Sequence, residues 1–137
     1  MITKEELKAY IRLTQEVESL EELIERLQSK KDNIGATTLT AAAAGSGSPD
    51  KMASNIARLD DLLVLYHEKL ERWLIQQKKI EEAIDTLPEK EKTIMHYRYL
   101  MGLEWEEITY RMRYSWQHTH RIHAAALKRL KDETQCD

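Results

Sequence analysis

The chain has 137 residues, 21 Lys and Arg against 24 Asp and Glu, and a formal charge of -3. That length suits one ordinary domain or two small modules sharing a modest core, and the charge is unevenly spread: residues 88–137 carry nine basic and eight acidic side chains, whereas the rest is net acidic. Secretion and membrane spanning are excluded as expectations: Met1 to Lys8 lacks the apolar run of a signal peptide, no eighteen apolar residues follow one another, and the single Cys136 can form no internal disulfide. A reducing cytoplasm is the expected compartment.

Apolar residues at Tyr10, Leu13, Val17, Leu20, Ile24 and Leu27 alternate spacings of three and four, the seam of a heptad helix. Met52, Ile56, Leu59, Leu63, Tyr66, Leu70, Trp73, Gln77, Ile80, Ile84 and Leu87 hold the same rhythm in a second, longer run. Between them GATTLTAAAAGSGSP, Gly35 to Pro49, is small and glycine-containing, so residues 1–87 read as an antiparallel coiled-coil hairpin with a flexible loop at about 33–51. Facing seams pair Tyr10 with Trp73, Val17 with Tyr66, Leu20 with Leu63, Ile24 with Leu59 and Leu27 with Ile56, a register defined to within one heptad. The same seams could join two chains, and periodicity alone leaves that open. A homodimer is the expected oligomer.

Residues 88–137 read as a three-helix module. Pro88 suits a first helical position, Glu89 and Glu91 complement the helix dipole, and Ile94, Met95, Tyr97 and Leu100 lead to a C-terminal cap at Gly102. Leu103 to Met112 forms a short second helix. Ser115 offers the N-cap of a third, which buries Thr119, Ile122, Ala126, Leu127 and Leu130 and leaves Trp116, Gln117, His120, Arg121 and Ala124 on its other face. From Ile108 to Lys131 there is no acidic residue, while Arg111, Arg113, Arg121, Lys128, Arg129 and Lys131 interleave with three histidines. A basic strip on an acidic protein, carried by short helix, turn and helix, points to nucleic acid.

The segment LPEKEKTIMHYRYLMGLEWEEITYRMRYSWQHTHRIHAAALKRLK resembles region 4 of sigma-70 factors, and joined to a coiled-coil hairpin the whole chain resembles the phage ArpU and RinA type of late transcriptional regulators. Leu87 and Pro88 open the region, Arg98 and Tyr99 match its arginine-aromatic pair, Gly102 and Leu103 its turn, Glu107 and Ile108 its scaffold helix, and Ser115 through Leu130 its recognition helix. The resemblance implies that Trp116, Gln117, His120 and Arg121 face base edges in the major groove. Arg121 can bind guanine and Gln117 adenine through two hydrogen bonds each. Lys90, Arg98, Arg111, His118 and Lys128 are the expected phosphate contacts. Four features depart from the family pattern: Glu104 at an N-cap, Arg113 at a position often glycine and so expected to be left-handed, Thr109 for a small residue, and Thr119 for an apolar anchor. Trp116 and His118 also stand where basic or polar residues are common, so the target sequence is not transferable.

The resulting expectation is an all-α, sequence-specific regulator of phage late genes that binds double-stranded promoter DNA and recruits host RNA polymerase. It has no small-molecule substrate, no membrane partner and no cofactor. Competing readings are a small terminase-like packaging protein, which would form rings, and a coiled-coil interaction module that does not bind DNA. Trp116 belongs either to the DNA face or to a dimer interface, and Trp105 to the core or to a wedge against the hairpin. No enzyme is expected, since there is no phosphate loop, no nucleophile with an orienting base and no paired carboxylates away from solvent-facing helices. No metal is expected at His118, His120 and His123, which have no nearby Cys.

Overall fold

The computed structural model describes residues 2–41 and 49–132, with side chains over 2–30 and 50–132. Five helices and no strand occur among the described residues: α1 Lys4–Ala41, α2 Pro49–Asp85, α3 Glu89–Met95, α4 Trp105–Met112 and α5 Trp116–Asp132, with a π-helical turn, His96–Leu100, continuing α3. The loop expected over about 33–51 is shorter than its composition suggested, because α1 runs on to Ala41 and α2 begins at Pro49. Adding a residue to an existing helix fixes one set of dihedrals for one hydrogen bond, so the stretch ATTLTA past Gly35, with three threonines of modest propensity, can extend a helix that it could not nucleate. The remainder of that loop, residues 42–48, lies outside the described residues.

The described chain forms two compact units, Met1–Thr14 with Trp73–Asp137, and Gln15–Arg72. In the second unit, parts of α1 and α2 run antiparallel. Ile24, Leu59 and Leu62 form its buried core, and Leu20, Leu23, Leu27, Leu63 and Tyr66 pack around them. The expected partners Ile24 and Leu59 share this cluster. The Tyr66 hydroxyl donates to Glu21 at 2.6 Å, and Lys69 pairs with Glu16. The seam sits between two helices of one chain, so the pairing that periodicity left open is intramolecular here.

The first unit holds a larger core: Ile2, Leu7, Tyr10, Ile80, Ile84, Leu87, Met95, Tyr99, Ala126 and Leu130. Heptad geometry brings Tyr10 onto Trp73 as expected, their rings stacked 6.1 Å apart, and the indole N–H donates to Thr14 Oγ1 at 2.8 Å. Ile2 and Leu7, which precede the recognised seam, are as buried as any residue of the core. Ile2, just before α1, and Leu7, in its first turns, belong to the same cluster as Ala126 and Leu130 of α5. The C-terminal helices therefore do not close their core alone.

Within this unit α3 and α4 each pack against α5. Pro88 stands one place before the helix rather than at its first position: its φ of -56° is helix-compatible, its ψ of 154° is extended, and its carbonyl accepts the Lys92 N–H at 2.8 Å. The Met101 N–H reaches back five residues to the His96 carbonyl at 3.0 Å, the bond of a π turn, and Gly102 then reverses the chain at φ +70°. Leu103 and Glu104 are outside α4, which starts two residues later than their apolar pattern suggested. Glu104 is extended and makes no side-chain cap bond, so the departure from a Ser or Thr cap leaves α4 without that support.

Candidate nucleic-acid interface

The turn between α4 and α5 is built by two residues. Arg113 lies at φ 57°, ψ 37°, the only non-glycine residue with positive φ among those described, and its N–H bonds the Thr109 carbonyl to close α4. A left-handed L-residue costs about 1–2 kcal/mol, and the strain is accepted where the chain must turn tightly into α5. Two residues on, Ser115 Oγ accepts the His118 N–H at 3.1 Å, the N-cap read from the sequence.

The same Ser115 explains a departure from the family pattern. Thr119 is fully buried, and its hydroxyl donates to the Ser115 carbonyl one turn earlier at 2.9 Å. A polar atom at an apolar anchor is thereby satisfied within its own helix, and its methyl packs inward. With Thr119, Ala126 and Leu130 buried and Ile122 and Leu127 half-buried, the opposite face of α5 turns outward.

Gln117 and Arg121 are exposed one turn apart, and Trp116, the first residue of α5, leaves 54% of its surface in solvent. His120 differs from these three. It is half-buried, with its ring 4.6 Å from Trp116 and 4.5 Å from Trp105, and its Nε2 is buried without a hydrogen-bond partner. Trp105 has a further edge contact with His123 at 4.7 Å, and the Arg98 guanidinium lies 4.9 Å over its ring. Of the two places open to it, Trp105 therefore takes a packed one, against α5.

The five side chains assigned to phosphate differ in freedom. Lys90 and Lys128 are exposed. His118 is exposed and meets the Tyr114 ring edge-on at 4.6 Å. Arg111 bonds Glu107 through Nε at 3.0 Å and lies 5.5 Å over Tyr97, so it is held against α4 and the π turn. Arg98 is half-buried and donates through Nη1 to the Leu103 carbonyl at 3.1 Å, which ties its charge to the chain reversal at Gly102. Another cation of the strip, Arg129, pairs at 3.1 Å with the buried Glu91, joining α5 to the first turn of α3.

Sequence reasoning passed over Tyr99 and His123 as a pair. Their rings stack 5.8 Å apart and Tyr99 Oη lies 2.8 Å from His123 Nε2. Burial raises the phenol above its ordinary value, so it keeps its proton. Burial, and after it the nearby His120, Lys4 and Arg98, lowers His123 to about 4. At neutral pH a neutral imidazole and a neutral phenol share this hydrogen bond, and the cluster is a packed support that carries no charge. Among the described residues no group of three or more His, Cys, Asp or Glu is placed to hold a metal, and no helix is long and apolar enough to cross a membrane.

Comparison with known proteins agrees with this geometry in one region. No curated protein and no solved structure matches the chain. Residues 83–132, which span the end of α2 and all of α3 to α5, match the family Sigma-70, region 4. The similarity covers the helix-turn-helix and suggests DNA-binding transcription regulation.

Proposed function

We propose that the protein is a sequence-specific DNA-binding regulator of phage late transcription, working from residues 88–137 as its DNA module, with residues 1–87 as a coiled-coil arm. The observation that carries this is the acid-free strip from Ile108 to Lys131 on a helix-turn-helix whose turn closes at Arg113 and whose second helix is capped by Ser115. Trp116, Gln117 and Arg121 project from the first turns of α5 toward base edges, with His120 between the indoles. Lys90, Lys128 and His118 serve the phosphates, and Arg98 and Arg111 supply positive charge from fixed positions. The resemblance to phage late regulators supports promoter DNA as the target, the bacterial cytoplasm as the compartment and host RNA polymerase as the partner recruited. Exposed Val64, Leu65, Leu74 and Ile75 on α2 support self-association with a second copy.

The test is selection from a randomised duplex pool at two salt concentrations, with sequencing of the retained DNA. Enrichment of one site, with affinity falling steeply as salt rises, is the expected result. Arg121→Ala should then relax preference at one base pair, at a cost of roughly 1–3 kcal/mol on the preferred site, while Lys128→Ala weakens all duplexes alike. An absence of binding at low salt would leave a protein-interaction module, and strong binding without preference in a ring-forming particle would favour DNA packaging. Sedimentation of the free protein reads the oligomer directly.

A further inference from the structure

We infer that His120 is a positioning residue: it clamps the exposed Trp116 indole so that a rigid aromatic wall stands at the start of α5 before DNA arrives. The inference rests on the DNA-binding reading and assigns within it a role that follows from packing. Five rings touch in succession from core to surface. Tyr99, 7% exposed, stacks on His123; His123 meets the edge of Trp105; Trp105 packs on His120; and His120 packs on Trp116, which is 54% exposed.

Each link has a local cause. Trp116 and His120 are four residues apart on α5 and so lie one above the other on the same face, and His123 follows one turn later. Trp105 opens α4 and is held over by Arg98, whose own guanidinium is tied to the Leu103 carbonyl. His123 is fixed from below by the Tyr99 hydroxyl. The outermost indole thus rests on a column anchored in three helical segments. His120 buries Nε2 with no partner, and with tilted indole rings at 4.5 and 4.6 Å from its own ring it has little left to offer a base edge directly.

The consequence for readout is preorganisation. A half-exposed tryptophan at a helix terminus would otherwise sample several rotamers, and binding would have to order it. Held in place, its flat face can contact a thymine methyl or exclude a base pair that lacks one. His120 therefore influences discrimination at the base pair that Trp116 meets, and acts through Trp116.

The experiment uses the full chain labelled with 5-fluorotryptophan, whose three resonances are assigned by Trp73→Phe, Trp105→Phe and Trp116→Phe. It compares wild type, His120→Ala and His120→Phe, each checked for folding by circular dichroism. Without DNA, His120→Ala should sharpen and shift the Trp116 resonance toward that of a solvated indole, and His120→Phe should restore it. On the site recovered from the randomised pool, His120→Ala should lower discrimination at one base pair roughly 2- to 10-fold, the span that the loss of one aromatic contact represents. His120→Phe, which keeps a ring but no hydrogen-bonding atom, should retain it. If His120→Phe loses discrimination as fully as His120→Ala, His120 reads DNA itself and the positioning role is overturned. An unchanged Trp116 resonance in His120→Ala overturns it as well. These outcomes separate from failure of the DNA reading, in which the wild-type protein would bind no duplex while the DNA-free resonances still report the column.

Discussion

The unit formed by Gln15–Arg72 and the unit formed by Met1–Thr14 with Trp73–Asp137 use the same helical material in opposite ways. The former buries a repeated aliphatic seam and no special backbone geometry, and its polar contacts are partly exposed pairs such as Lys69 with Glu16. The latter concentrates everything irregular among the described residues: a π turn, positive φ at Gly102 and Arg113, a buried glutamate, a buried threonine and a histidine held neutral. All three tryptophans, Trp73, Trp105 and Trp116, also belong to it. A seam tolerates exchange of one aliphatic residue for another, whereas the irregular unit depends on particular atoms in particular places. Local costs collect where a surface must be shaped for a ligand.

That contrast is open to direct attack because tryptophan fluorescence reports one unit and far-ultraviolet circular dichroism reports both. Leu130→Ala removes a fully buried side chain from the larger core and should cost about 2–5 kcal/mol, read as an early shift of the fluorescence-detected urea midpoint. Leu59→Ala, in a core of three buried residues, should cost toward the lower end of that range and move the dichroism curve while leaving the fluorescence midpoint nearly in place. Coincident shifts by both probes for both variants would show a single cooperative structure and dissolve the comparison.

A second effect separates the units by pH. His123 is lowered to about 4 in the folded chain from an ordinary 6.5, so between those values the unfolded chain binds the proton more tightly. Stability of the first unit should accordingly be level above pH 6.5 and decline as pH falls toward 4. The decline from 6.5 to 5 is the informative part, since most carboxylates are still ionised there. An NMR titration placing the His123 midpoint near 6.5 would remove burial as its controlling influence.

Much of this was legible in the residues, for reasons that differ by element. Tyr10 against Trp73, Ser115 as a cap, Gly102 and Arg113 in left-handed backbone, and Thr119 on the buried face all follow from spacing or from conformations that few residue types adopt. The continuation of α1 to Ala41 was misread because composition describes nucleation better than propagation. Ile2 and Leu7 escaped notice because a short apolar pattern does not say which distant helix will cover it. The ring column had one legible link, the Trp116 and His120 spacing; the others join separate helices, and nothing local marks Trp105 as the partner of both histidines. His120 is grouped with the base-facing residues by helical phase and by the resemblance, and neither shows the two indoles packed beside it.

The smallest expected effect probes the irregular unit at its two turns, where one residue type has the freedom that the backbone needs and the other does not. At Gly102 a Cβ would meet nothing within 4 Å, so Gly102→Ala should suffer backbone strain of about 1–2 kcal/mol at φ +70°, offset by roughly 0.4–1 kcal/mol through the freedom that alanine removes from the unfolded chain. Arg113→Gly is its mirror. It relieves similar strain at φ 57°, but glycine gains freedom in the unfolded chain worth roughly 0.4–1 kcal/mol, so the two terms partly cancel and the net gain should be about 1 kcal/mol or less. Urea midpoints of the two variants measure both. A loss well above 2 kcal/mol for Gly102→Ala would mean that the turn carries more than its own dihedral angle, and because Arg98 donates to the Leu103 carbonyl beside it, the column under Trp116 would be the first place to look.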